Sequence, residues 1–228
     1  MEPINRYLDA AILKPEMTES EVENAIRDSI AWKTKTVCVR PCDIPLAKKL
    51  CAGTDTQVSC VLAFPHGVAP TEVKAFEAKT YIAMGTDEID MVANYAMIRS
   101  GNWSYVSKDI AAVAHLCTQS NIPLKVIFET CYLSEEQIRK TCDICIECGA
   151  TFVKTSTGFA QGGATKEAVA IMLDQAAGRI EVKPSGGIRS SETACEYIEM
   201  GATRLGTNWA ATKDLVNGTQ ESTSTSGY

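Results

Sequence analysis

Thr151-Phe152-Val153-Lys154-Thr155-Ser156-Thr157-Gly158-Phe159 and, one βα unit later, Ile180-Glu181-Val182-Lys183-Pro184-Ser185-Gly186-Gly187 decide how this chain is read. Each reads as a short buried strand that ends in a lysine and opens onto a polar, glycine-terminated loop. A buried ammonium without a partner is so costly that such a lysine is paired or gives up its proton. A neutral lysine is a nucleophile for carbonyls. Two of them at neighbouring strand ends predict mutual depression of their pKa values.

Outward from these segments, apolar runs rich in Val, Ile and Phe alternate with helical patterns, the signature of a parallel sheet covered by helices. Strands are expected near Tyr7 to Asp9, Thr36 to Arg40, Val58 to Phe64, Glu88 to Ala93, Leu124 to Glu129, Phe152 to Ser156, Ile180 to Lys183 and Thr203 to Gly206. Helix starts are marked by Thr18 with Glu21, by Ser134 with Gln137, and by Thr165 ahead of a run ending at Gly178. Eight such units in 228 residues favour an α/β chain closed into a (β/α)8 TIM barrel over an open sheet. An extra N-terminal helix is expected, with a single domain over residues 1–216 and a flexible Gly/Ser/Thr-rich tail over 217–228. No Gly-x-Gly-x-x-Gly follows the early strands, which counts against a dinucleotide.

A net charge of -6 and a sequence pI near 5.1 argue against nucleic acid or an anionic membrane as partner. The N-terminus carries no basic segment followed by an apolar run, and no apolar stretch is long enough to span a bilayer, so a cytoplasmic protein is expected. Among the ten cysteines, only Cys142-x-x-Cys145-x-x-Cys148 approaches a metal pattern. It sits inside a helical repeat with Ile138 and is read as core packing, with no metal and no cofactor.

In a barrel the reactive groups gather at the C-terminal strand ends, where Asp9, Cys38, Asp90, Glu129, Lys154 and Lys183 fall. The loops after strands seven and eight, Ser185-Gly186-Gly187 and Gly206-Thr207-Asn208, stand where such barrels bind phosphate on backbone N–H groups. Together these suggest a sugar-phosphate pocket.

The order of several segments resembles the deoxyribose-phosphate aldolase family from Asp9 to Thr207. These include Leu13-Lys14-Pro15, Phe64-Pro65-His66-Gly67, Asp87-Glu88-Ile89-Asp90-Met91-Val92, Lys125-Val126-Ile127, the Lys154 segment, Ser185-Gly186-Gly187-Ile188-Arg189 and Gly201-Ala202-Thr203-Arg204-Leu205-Gly206-Thr207. The resemblance implies a class I aldolase, a lyase of deoxyribonucleotide catabolism that splits 2-deoxy-D-ribose 5-phosphate reversibly into acetaldehyde and D-glyceraldehyde 3-phosphate. By the same resemblance Lys154 is the Schiff-base lysine, Lys183 the lysine that tunes it, and Asp90 the acid/base group. Asp9, Cys38, Thr155, Ser185, Gly186, Gly187, Gly206, Thr207 and Asn208 are the substrate-binding candidates, although Cys38 also reads as a buried thiol of packing value only. His66 is given no chemistry.

Two departures from the family pattern touch substrate contacts. Asp9-Ala10-Ala11 stands where Asp-His-Thr is common, and Asn208-Trp209 stands where two serines are common, with Trp209 adding bulk. They predict a weaker grip on phosphate, or a preference for altered or non-phosphorylated aldehydes. Tyr228, the last residue, resembles the terminal tyrosine with which some members assist proton transfer. A homodimer is expected. The alternatives are a related Schiff-base aldolase or sugar-phosphate isomerase, and a non-catalytic sugar-phosphate sensor.

Overall fold

Alternation along each strand sends one set of side chains toward the helices and the other toward the barrel axis. In the computed structural model, which describes residues 2–218, eight strands form one parallel sheet: β1 Leu8–Ile12, β2 Thr36–Val39, β3 Gln57–Leu62, β4 Glu88–Val92, β5 Leu124–Ile127, β6 Phe152–Lys154, β7 Glu181–Lys183 and β8 Leu205–Asn208. The pairing order is β7-β6-β5-β4-β3-β2-β1-β8. A bridge between Ser185 and Gly206, with Gly206 N–H donating to Pro184 O at 2.9 Å, closes the ring between β7 and β8. The expected barrel is therefore the observed one.

The helices are α1 Glu19–Ala31, α2 Ile44–Cys51, α3 Thr71–Ala83, α4 Tyr95–Arg99, α5 Trp103–Gln119, α6 Glu135–Cys148, α7 Lys166–Ala176, α8 Ser191–Met200 and α9 Trp209–Asn217. Capping boxes form at Thr18 with Glu21 and at Ser134 with Gln137, and Thr165 accepts from Ala168 N–H, so three starts read from sequence are real. Between strands and helices lies the main core, in which Val37, Val39, Cys60, Leu62, Met91, Val126, Val153 and Val182 meet Ile26, Ile110, Ile138 and Met172. Cys142 and Cys145 belong to it, and burial pushes both thiols up, Cys142 to about 12.

Several boundaries differ from the sequence reading. β1 starts and ends later, because Ile4–Tyr7 forms a one-turn 3-10 helix; that turn is the helical element ahead of β1 among the described residues. β3 stops at Leu62 because Ala63 takes a left-handed φ of 51°, and β5 stops at Ile127, with Glu129 at φ 58°. β8 lies two residues later than expected, so Arg204 precedes it and Asn208 ends it. Helix α9 includes Asn217, so the tail boundary falls inside its last turn; residues 219–228, Tyr228 among them, lie outside the described residues.

A buried ion pair braces the site from behind. Lys74 on α3 donates to Asp109 on α5 at 2.5 Å and to Val92 O at 3.0 Å, and Thr71 donates to the other Asp109 oxygen at 2.9 Å. The end of β4, two residues beyond Asp90, is thereby fixed to two helices.

The loop after β3 lies hard against the same strand end: at Gly67, with φ +70°, a Cβ would stand 2.2 Å from Ala93 O. Gly67→Ala is expected to cost about 2 to 4 kcal/mol from overlap and backbone strain. Gly53 has φ +76° and nothing within 4 Å, so Gly53→Ala should cost only about 1 to 2 kcal/mol. Urea unfolding of the two variants measures the difference, and equal losses would refute the contact.

Candidate active site

The inward face of the strands should, in an ordinary barrel, carry layers of branched apolar side chains. Here it carries charge. Glu88 and Asp90 are two apart on β4 and so share that face, Lys125 comes from β5, Lys154 from β6, Lys183 from β7, Asp9 from β1, and Arg204 from the approach to β8. All seven are buried.

Six of them close into a ring of alternating sign. Arg204 Nη1 lies 2.8 Å from Glu88 Oε2 and 2.9 Å from Asp9 Oδ1. Lys183 Nζ lies 2.5 Å from Asp9 Oδ2 and 2.8 Å from Asp90 Oδ2. Lys125 Nζ lies 2.7 Å from Asp90 Oδ1 and 2.5 Å from Glu88 Oε2, which completes the circuit. Thr36 adds a hydrogen bond to Asp9 Oδ1 at 2.8 Å. Lys154 hangs outside this balanced ring, its Nζ 2.7 Å from the same Asp90 Oδ2 that Lys183 holds. The cluster thus sets four cations against three carboxylates.

The surplus falls on Lys154. Among the described residues it is in ion-pair contact with one carboxylate, whereas Lys183 touches two and Lys125 touches three, counting Asp9 at 3.8 Å. Burial is the largest single influence on all three amines and favours the neutral form. For Lys154 burial, helped by the positive Lys183 beside it, outweighs Asp90, and its pKa is lowered. For Lys183 burial is outweighed by Asp9 and Asp90 together, and for Lys125 by Asp90, Glu88 and Asp9, so both are raised. Asp9 and Asp90 are held well below the usual carboxylate range: burial opposes this, but Arg204 and Lys183 overcome it for Asp9, and Lys125, Lys154 and Lys183 for Asp90. The expected mutual depression of two lysines is therefore corrected to a one-sided one, because the carboxylates are shared unequally.

An apolar wall stands beside the amine. Ala11, Leu13, Cys38 and Val61 form a small cluster backed by Phe64, whose ring meets Phe159 edge-on at 5.0 Å and so joins the loops after β3 and β6. Burial raises the Cys38 thiol, with Asp90 adding to the effect, so Cys38 serves this wall as a neutral side chain. Glu129 is turned away to Thr157, whose backbone N–H lies 3.3 Å from both carboxylate oxygens and whose hydroxyl donates to Oε2; burial raises its pKa.

The two glycine-rich loops meet beside Lys183. Thr155 Oγ1 donates to Ser185 O and accepts from Ser185 N–H, both at 3.0 Å. A Cβ on Gly206 would lie 2.3 Å from Ser185 Oγ and 3.2 Å from Lys183 Cε, so only glycine leaves room there for the lysine stem. Gly186 and Gly187 take φ of +83° and +80°, and Gly186 O accepts from Ala164 N–H. Asn208 caps α9 through Ala210 N–H at 2.8 Å. Thr212 donates to Asn208 O, so the Thr207 hydroxyl, 2.8 Å from Thr212 Oγ1, is committed as a donor to it. Trp209, at the start of α9, is half-buried and packs against the main core.

Sequence reasoning finds Asp9, Asp90, Lys154 and Lys183, which the fold brings into one contact network. It does not single out Lys125, Glu88 and Arg204, although the Glu88-x-Asp90 spacing on one strand face was a usable signal. It also passes over Ser156, two residues beyond Lys154 and buried, whose hydroxyl has no hydrogen-bond partner among the described residues.

If the surplus charge sets the Lys154 amine, Lys183→Leu makes Lys154 the cation the ring needs. Borohydride trapping of acetaldehyde on Lys154 at neutral pH is then expected to slow about tenfold or more, with its midpoint moved to higher pH. Trapping at the wild-type rate and midpoint would show that the neighbouring charge is irrelevant.

Comparison with known proteins places this site in context. The profile of the DeoC/LacD family aldolases matches residues 6–211. A Finegoldia magna protein named deoxyribose-phosphate aldolase is 45% identical over 203 residues, covering 89% of this chain and 94% of that one. One of the same name from Thermococcus kodakarensis is 44% identical over 207 residues, covering 90% and 92%. The crystal structure of a putative deoxyribose-phosphate aldolase from Coccidioides immitis superposes with a TM-score of 0.90 at 34% identity, over 94% of this chain and 84% of that one.

Proposed function

The chain belongs to the DeoC/LacD aldolase family, and we propose that it is a class I aldolase that reversibly cleaves 2-deoxy-D-ribose 5-phosphate to acetaldehyde and D-glyceraldehyde 3-phosphate. The observation that carries this reading is the lysine left over from a balanced ring of buried charge: a lowered amine, facing an apolar wall, is poised to attack an aldehyde.

In the proposed reaction the neutral Lys154 Nζ adds to the sugar aldehyde carbon, and the carbinolamine takes up a proton relayed by Asp90 and loses water to give a protonated imine. The substrate 3-hydroxyl loses its proton, the bond between carbons 2 and 3 breaks, and its electron pair moves into the imine to leave a neutral enamine and glyceraldehyde 3-phosphate. Protonation of the enamine carbon and hydrolysis then release acetaldehyde and free Lys154. Asp90, in contact with both amines, is the pivot for the proton transfers, and Lys183 is the donor that stays charged. The protonated imine puts a positive charge where the ring already has its full complement, and cleavage discharges it. Side chains and water supply every step as written.

For the phosphate we propose the Ser185–Gly187 loop and the N-terminus of α9. Ser156 is the open hydroxyl for a substrate oxygen. The commitment of Thr207 and Asn208 to α9, and Ala11 in the apolar wall, favour the second reading of a related aldolase with weaker phosphate preference. A sensor without turnover has no use for a depressed amine. A homodimer and cytoplasmic residence remain part of the proposal; the exposed Val68, Val73 and Phe76 support a surface for a second copy. No helix among the described residues is long and apolar enough to cross a membrane.

Turnover of deoxyribose 5-phosphate is expected to fall by at least about a thousandfold in Lys154→Ala, and borohydride reduction with acetaldehyde should place the adduct on Lys154. An adduct elsewhere, or turnover surviving the substitution, would overturn the assignment. The phosphorylated sugar should exceed free deoxyribose in kcat/KM by less than about a hundredfold if the phosphate grip is weak; a much larger ratio would reject that part. For Tyr228 we keep the proposal of proton transfer at the enamine carbon. Its deletion should slow solvent deuterium exchange into acetaldehyde, and an unchanged rate would discard it.

A further inference from the structure

Glu88 opens β4, Phe152 opens β6, and Arg204 precedes β8, so the three form the inward layer beneath Asp90, Lys154 and Gly206, two residues further along the same strands. Arg204 grips Glu88 with both terminal nitrogens, at 2.8 and 3.1 Å, and its guanidinium carbon lies 5.2 Å from the centre of the Phe152 ring. The Lys125 ammonium lies 5.9 Å from the same ring. Phe152 thus separates the two arms of the ring on one side, and Glu88 Oε2 joins them on the other.

Neither Glu88 nor Arg204 is in ion-pair contact with Lys154. Each acts on a group that is, or on that group's partner. Arg204 and Thr36 together occupy Asp9 Oδ1, which leaves Oδ2 for Lys183 at 2.5 Å. Glu88 holds Lys125, whose bond to Asp90 Oδ1 leaves Oδ2 for the two amines above. The pair also roofs an open recess of about 640 Å³ on the opposite end of the barrel, so it forms the floor that separates the site from solvent below.

We propose that Glu88 and Arg204 are positioning residues for the aldol chemistry, fixing which oxygens of Asp9 and Asp90 face the lysines and setting the charge balance against which Lys154 is the odd cation. This rests on the aldolase reading above. The groups that face Lys154 directly are Asp90 from β4, Lys183 from β7 and Cys38 from β2, with Glu129 at the end of β5 turned to Thr157. The floor pair acts through the first two.

The two members of one ion pair then have opposite effects, which a purely structural role does not produce. Glu88→Gln removes a negative charge and raises the surplus, so trapping of acetaldehyde on Lys154 at a fixed pH on the acid side should accelerate on the order of tenfold. Arg204→Gln removes the surplus, so trapping should slow on the order of tenfold, with the midpoint displaced the other way. The double variant should return to within about threefold of wild type. Shifts of the same sign, or none, in cooperatively folded variants would overturn the proposal. Should a Gln variant fail to fold, Arg204→Lys decides: it keeps the charge and loses the fork, so the trapping midpoint should hold while kcat falls about tenfold with KM little changed. Unchanged kcat, or a displaced midpoint, would refute it. No adduct on Lys154 in the wild type would sink the aldolase reading itself, whereas an adduct with unmoved midpoints sinks only this inference.

Discussion

Four cations meet three carboxylates inside the buried centre of a barrel, and burial works against the proton of the fourth. Much of the architecture serves that imbalance. The ring of six is neutral and fully paired, so it can be buried whole, as an isolated ammonium cannot. Its members come from strands far apart in sequence, and the pairing register of adjacent strands puts Asp90 opposite Lys125 and Lys154 opposite Lys183. Shifting either register by one residue would turn these charges toward the apolar helix layer.

The supporting layers follow from the same demand. Gly206 gives up a side chain so that the Lys183 stem can pass, and the Lys74 and Asp109 pair fixes the end of the strand that carries Asp90. Thr155 and Ser185 tie the two lysine strands together just above the amines. The apolar wall of Ala11, Leu13, Cys38 and Val61 keeps the dielectric low on the side where an aldehyde would approach. Ala11 adds no polar atom to that wall, which favours the neutral amine.

The barrel is legible in the sequence because the strand runs and helix caps are local patterns: Thr18 with Glu21 and Ser134 with Gln137 form the boxes their spacing predicts. Lys154, Lys183, Asp90 and Asp9 are legible because each stands at a strand end in a polar context. Glu88, Lys125 and Arg204 are not, because each gains its meaning from a partner on another strand, and the sequence does not print the register between β4, β5 and β8. The start of β1 is misplaced for a different reason: the turn at Ile4–Tyr7 has no cap or glycine to mark it. Trp209 is judged by size alone in the sequence, and in the fold it is half-buried against the main core.

Why Lys154 rather than another of these lysines is the odd one out follows from how many oxygens each can reach. Lys125 enters deepest and meets three carboxylates, Lys183 meets two, and Lys154, with its side chain 4% exposed against 1% and 0% for the others, meets one. Burial acts against the proton on all three amines, so the ranking is set by the opposing carboxylates, and it places the weakest hold on the amine nearest the mouth. In the proposed reaction this ordering persists through the cycle: when Lys154 carries the protonated imine, the ring offers it only the one Asp90 oxygen that Lys183 also holds, and the positive charge is relieved by drawing electrons from the breaking carbon–carbon bond. The same imbalance that frees the amine to attack therefore favours the step that follows attack, and a barrel with a fourth carboxylate in the ring would lose both.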